Sequence, residues 1–208
     1  VAKSRGTVPG NLVEWAEQLL KNKVDWRKEV RANISNMINA VVQGLSDYTN
    51  QRPSRRQSIN KDFFMPSFVM PIPSIAVIVD TSGSVSSEAL KQVAAEIDAL
   101  LKSTNANVFK IDTDYVVHSV DKLNGRSGGN AKKIREFKGR GGTDMCQGYA
   151  KIREMKEKPN VIICMTDGET PWPDEALPKT KNLILIVDNP IQEKNCPSWA
   201  KVLCVDTK

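Results

Sequence analysis

Apolar residues recur along this chain with two different periods, and the change from one to the other marks its organisation. Asn11 to Lys21 predicts a short amphipathic helix with Leu12, Trp15, Leu19 and Leu20 on one side. A longer helix starts after Asp25, a suitable N-cap. Its Trp26, Val30, Ile34, Met37, Ile38, Val41 and Leu45 recur at about 3.6 residues, so this face is expected to pack on a sheet. Between Ser46 and Pro73 the helical period disappears, and Pro53, Pro66, Pro71 and Pro73 predict an ordered but irregular connection. Beyond Pro73 short continuous apolar runs take over, at Ile75 to Val79, Val161 to Met165 and Leu183 to Val187. Such runs suit parallel strands covered on both faces. Lys201 to Val205 reads as a short last strand.

Helical patterns separate these runs. Ser86 and Glu88 open one helix with Leu90, Val93, Ala94, Ile97, Leu100 and Leu101 as its stripe, and Met145 to Lys156 gives another. Asn107 to Asp112 and Tyr115 to Val120 predict an antiparallel hairpin at the sheet edge, turning at Thr113 and Asp114. Lys122 to Lys133 reads as a polar, glycine-rich loop. The result is an α/β class chain with a doubly wound, mostly parallel sheet and an N-terminal helical extension. Residues 1–73 form the helical segment and its connection, packed on a core domain of residues 74–208.

The polar residues that end these strands carry the candidate chemistry. Asp80, Ser82 and Ser84 alternate after the first core strand, and residues two apart in extended backbone point the same way. Gly83 is expected to let the backbone turn there. Asp-Thr-Ser-Gly-Ser is also sound turn and capping chemistry. Two distant segments favour a cation site instead: Gly141-Gly142-Thr143-Asp144 before a helix, and Thr166-Asp167-Gly168-Glu169 after a strand. In an open α/β sheet the carboxyl ends of the strands share one edge, where ligands collect. Hydroxyls with few acids suit Mg²⁺, a small hard ion reluctant to lose its waters. With few bound anions such an ion keeps positive charge and attracts a carboxylate from outside.

This arrangement resembles the von Willebrand factor A-like fold, which is Rossmann-like, and its metal-ion-dependent adhesion site, patterned Asp-x-Ser-x-Ser, a distant Thr and a distant Asp. Here these are Asp80, Ser82, Ser84, Thr143 and Asp167. Val24-Asp25-Trp26-Arg27, Asp47-Tyr48, Arg52-Pro53-Ser54-Arg55-Arg56, Thr113-Asp114, Arg140 to Asp144 and Thr166-Asp167-Gly168 narrow the similarity. They point to the bacterial and phage members associated with predicted metallopeptidases.

The resemblance implies a non-enzymatic module that holds Mg²⁺, with Mn²⁺ as a substitute, and through it an Asp or Glu of a partner protein. Ser82, Ser84 and Thr143 would bind directly and Asp80 and Asp167 through water or hydrogen bonds. Asp144, Asp114 and Glu169 would stand around them, with the proline-rich loop Thr170 to Lys181 nearby. It further implies a cytoplasmic role beside a MoxR-type AAA ATPase. A metallopeptidase-like domain is expected upstream of this segment, which begins without Met and reads as excised.

Composition narrows the alternatives. The 208 residues are 40% hydrophobic and 26% charged, ordinary for a globular protein. No run approaches the roughly 20 apolar residues of a membrane helix, and the first residues lack a signal-peptide core. The four cysteines have no zinc or disulfide-scaffold spacing and fit a reducing compartment. His118 is the only histidine, on a predicted strand, and reads as a surface or sheet residue. Neither a Gly-x-Ser-x-Gly elbow nor His-Glu-x-x-His is present.

Two other readings remain. Asp112-Thr113-Asp114-Tyr115-Val116 mimics the nucleophile loop of Mg-dependent phosphohydrolases of haloacid-dehalogenase type. The net charge of +6 raises a nucleic-acid-binding alternative, with Arg52, Arg55 and Arg56 in one cluster and Lys132, Lys133, Arg135, Lys138 and Arg140 in another. Acids scattered among these runs favour solvated faces, and the second cluster is placed to steer an acidic partner toward Thr143. Gly125 to Lys132 has the composition of a phosphate loop but not its closing Gly-Lys-Ser/Thr.

Overall fold

The computed structural model describes residues 25–59, 62–103, 106–124, 136–139 and 141–207. The helix expected at Asn11 to Lys21 and most of the glycine-rich loop lie outside them. Helix α1 is Trp26–Leu45, and Asp25 caps it by accepting the Arg27 N–H at 3.2 Å. Trp26, Val30, Ile34 and Ile38 are buried, with Met37, Val41 and Val42 packed beside them. Leu45 differs from expectation: it is about half exposed, because the helix ends there and the chain leaves the core.

The connection that follows is more regular than its prolines predict. Strands β1 (Asp47–Pro53) and β2 (Pro66–Val69) pair antiparallel, with Tyr48 opposite Phe68, and form a two-stranded sheet of their own. Most of its side chains are exposed, so no inside-outside alternation was available to announce the strands.

The main sheet contains β3 (Ser74–Asp80), β4 (Asn107–Thr113), β5 (Val117–Asn124), β6 (Val161–Thr166), β7 (Lys181–Val187) and β8 (Lys201–Val205). Their spatial order is β5-β4-β3-β6-β7-β8, and β5 alone runs antiparallel to its neighbour. The hairpin turn lies at residues 114–116 rather than at Thr113-Asp114. β5 continues to Asn124, into what the sequence predicts as loop.

Both faces of the sheet are covered, which explains the uninterrupted apolar runs. Ile75, Val77 and Val79 of β3 face α1 and α2 (Ser87–Ser103), while Ala76 and Ile78 face α3 (Met145–Glu154), Leu177 and Trp199. Glu96 on α2 holds both Arg27, at 3.5 Å, and the Arg31 guanidinium, whose Nε lies at 3.0 Å, so α1 is tied to the core by charge as well as by packing. The chain runs from β3 outward to β4 and β5, then returns to β6 on the other side of β3. That reversal opens a crevice beyond the carboxyl ends of β3 and β6, where Asp80 and Asp167 stand.

Candidate metal centre

Strand β3 stays buried through its last residue, so the Asp80 carboxylate is fully enclosed. One of its oxygens accepts the Ser82 N–H at 2.9 Å and the other the Thr166 hydroxyl at 2.6 Å. The alternation read from the sequence holds here, since the Ser82 and Ser84 hydroxyls lie 3.1 Å apart. Gly83 does not serve as expected. Its φ is not positive and a Cβ there would meet nothing within 4 Å, because the turn is made in ordinary backbone and the Gly83 N–H is spent elsewhere.

Pairwise hydrogen bonds tie the three loops together. The Gly83 N–H donates to the Gly141 carbonyl at 3.2 Å, joining the serine loop to the loop that carries Thr143. Thr166, next to Asp167, donates to Asp80 and joins the third loop to the first. Met145 N–H donates to the Thr170 hydroxyl at 3.0 Å, joining the second loop to the third. Ser84, Asp167 and Glu169 line one cleft of about 290 Å³, and Thr81, Ser82 and Phe137 line another of about 340 Å³. Thr143 is half-buried, two residues from the Gly141 contact.

Lys91 lines the cleft of about 340 Å³ with Ser82, but the two acids at the carboxyl ends of β3 and β6 are not ion-paired. Asp80 and Asp167 are both buried, and among the described residues neither has a Lys, Arg or His partner. Burial, opposed by the hydrogen bonds from Thr166 and Ser82, pushes the Asp80 carboxyl up, and the charge of Asp167 adds to the rise. Two buried acids with no counter-charge, beside a pair of hydroxyls, are a donor set that fits a hard divalent cation. Among the described residues no group of three or more His, Cys, Asp or Glu side chains converges as a metal cage. The fit therefore rests on hydroxyls and carboxylates together.

The outlying candidates divide. Asp144 caps α3, accepting the Cys146 N–H at 2.9 Å and the Gln147 amide at 3.0 Å, so its carboxylate is engaged in helix structure. Exposed Glu169 accepts the Asn189 amide at 3.3 Å at the rim. Asp114 is buried and clasps the Thr143 loop: its Oδ2 accepts Gly141 N–H at 3.1 Å, and its carbonyl accepts Asp144 N–H at 3.0 Å. Burial alone would raise its carboxyl. Hydrogen bonds from Val116 N–H, His118 and Gly141 N–H, with the charge of His118, overturn that and hold it low.

Residues 75–206, which contain all of these strand-end loops, match the family model described as "VWA-like domain (DUF2201)". This chain belongs to the VWA-like family. A second family model, described as "Putative metallopeptidase domain", matches residues 1–69. That corrects the expectation of a metallopeptidase-like domain lying wholly upstream, because the similarity falls on α1 and the β1–β2 hairpin of this chain. No curated protein matches the chain.

Among solved structures, the VWA-like chain is similar to the conserved hypothetical protein BatB from Bacteroides thetaiotaomicron. The identity is 15% and the TM-score 0.45, over 55% of this chain and 66% of that one. It is also similar to an aerotolerance-related membrane protein from Bacteroides fragilis carrying multiple mutations to serines. There the identity is 14% and the TM-score 0.41, over 54% of this chain and 66% of that one.

Several contacts of the VWA-like crevice were not foreseen, although the segments that hold Thr166 and Thr170 stood out in the sequence. Thr166 and Thr170 bind Asp80 and Met145 respectively, and the only available signal was a hydroxyl ending an apolar run and one following Asp167. His118, read as a surface or sheet residue, stands with Nε2 2.7 Å from Asp114 Oδ2. Nothing in the local sequence reveals that contact, which forms when the turn at residues 114–116 folds back.

Proposed function

We propose that this VWA-like chain is a divalent-cation-dependent protein-binding module. Ser82, Ser84 and Thr143 would hold Mg²⁺ (or Mn²⁺) directly, with Asp80 and Asp167 supporting it through water or hydrogen bonds, in the manner of a metal-ion-dependent adhesion site. The ion would supply a positive centre able to take an Asp or Glu side chain from a partner. The observation that carries this reading is the buried, uncompensated Asp80 and Asp167 pair beside the paired serine hydroxyls. A cation there offsets both charges at once.

Binding rather than turnover is favoured by what the remaining residues are committed to. Asp112, the nucleophile of a haloacid-dehalogenase reading, is 1% exposed. Lys110 Nζ lies 2.8 Å from its Oδ1, and the Ser119 hydroxyl donates to its Oδ2 at 2.9 Å, so no substrate reaches it. The lone histidine leaves no His-Glu-x-x-His for a zinc peptidase within these 208 residues. Arg52, Arg55 and Arg56 are exposed and without an ion pair among the described residues. Of the second basic cluster only Lys138 lies within them. By its resemblance the module would work in the cytoplasm with a MoxR-type AAA ATPase, whose exposed acid would occupy the ion.

Thermal unfolding tests the reading. Mg²⁺ should raise the Tm of the chelator-treated protein, in principle by an amount equivalent to about 2.7 kcal/mol at a hundredfold excess over Kd. Ser82→Ala and Asp167→Ala should abolish the increment. An unchanged increment in both variants would contradict the site.

A further inference from the structure

We propose that His118 and Asp114 form a clasp that positions Thr143 for the cation, making the only histidine of the chain a determinant of metal affinity. The inference rests on the cation site proposed above and names what regulates its second loop.

That loop is held from the β4–β5 hairpin at three levels. Deepest, Lys110 is 1% exposed, pairs with Asp112, donates to the Glu136 carbonyl and lies 5.0 Å from the centre of the Phe137 ring. This fixes where the segment enters. At the level of the loop, Asp114 binds Gly141 through its side chain and Asp144 through its carbonyl, which brackets Thr143 between two anchors. Above it, His118 is about one-third exposed and holds the same Oδ2 that receives Gly141 N–H.

The backbone is shaped to this carboxylate. Gly139 has φ +118, and a Cβ there would lie 2.5 Å from Thr81 Oγ1, 2.8 Å from the His118 ring and 2.9 Å from Asp114 Oδ2. A Cβ on Gly141 would also come within 2.9 Å of Asp114 Oδ2. Two positions without a Cβ, both close to one carboxylate oxygen, indicate a fit that loses its geometry when that oxygen moves. Without His118, Asp114 keeps the Val116 N–H on Oδ1 and the Gly141 N–H on Oδ2 but loses its one side-chain donor, so Oδ2 is held less firmly. Thr143 then loses the support that orients its hydroxyl, in the way outer partners set the orientation of metal-binding groups.

Calorimetric titration of the full chain with MgCl₂ tests this, using wild type, Ser82→Ala, Asp114→Asn, His118→Ala, His118→Gln and Gly141→Ala, each with its chelated Tm. Asp114→Asn and His118→Ala should weaken Mg²⁺ about tenfold or more, as loss of an outer partner does. His118→Gln, whose amide can donate to the same oxygen, should restore most of the affinity. Gly141→Ala, whose Cβ would lie 2.9 Å from Asp114 Oδ2, should displace that oxygen and weaken binding as well. Wild-type affinity in Asp114→Asn and His118→Ala, with binding lost in Ser82→Ala, would overturn the clasp and leave the cation site standing. So would a His118→Gln protein as weak as His118→Ala. No binding by wild type would remove both.

Discussion

At the scale of single residues, Asp80 is placed against its own charge. The enclosed end of β3 raises its carboxyl, so the cation-free native state binds a proton more tightly than the unfolded chain does. Its contribution to cation-free stability is therefore complete below the unfolded value and is lost as pH rises through the native one. Asp114, held low, acts in the opposite sense: its contribution is present above the unfolded value and is lost as pH falls through the native one. Asp80→Asn removes the buried charge and keeps the shape. In chelator at pH 7 its Tm should equal or exceed that of wild type, while the Mg²⁺ increment vanishes. A lower Tm with the increment intact would contradict the assignment. Asp80, Ser82 and Ser84 were legible because they alternate within one short segment. Thr166 and His118 were not, because each acquires its role by meeting a carboxylate across the fold.

At the scale of elements, α1 belongs to the same core as α2, although the family models divide the chain between residues 69 and 75. Ile34 is wholly buried against the sheet. Ile34→Ala should therefore cost about 2–5 kcal/mol, read from urea unfolding, with one cooperative transition and an unchanged slope. A separate early transition would show that α1 melts independently. Periodicity exposed α1, α2 and the buried strands because each packs one face or two against the core. The β1–β2 hairpin was invisible because Tyr48, Phe68 and their neighbours stand largely outside any core, so solvent exposure erased the alternation that marks a strand. The α3 start was legible at Asp144, but the second acceptor, Thr170, comes from a loop beyond β6.

For the whole molecule, strand order does what no single segment can. Because β6 returns to the far side of β3, Asp80 and Asp167 share one edge of the sheet although two helices, a hairpin and a loop separate them in the chain. The α/β class and the mostly parallel sheet followed from continuous apolar runs alternating with helical stripes. The pairing of the three loops required the folded chain. No helix among the described residues is long and apolar enough to cross a membrane.

Diffraction from crystals soaked in Mn²⁺, collected for anomalous signal, addresses the site itself. One strong anomalous peak is expected, bounded by Ser82, Ser84, Thr143 and Asp167 and absent from Ser82→Ala crystals. A peak elsewhere, or Mn²⁺ bound equally well in that variant, would contradict the site.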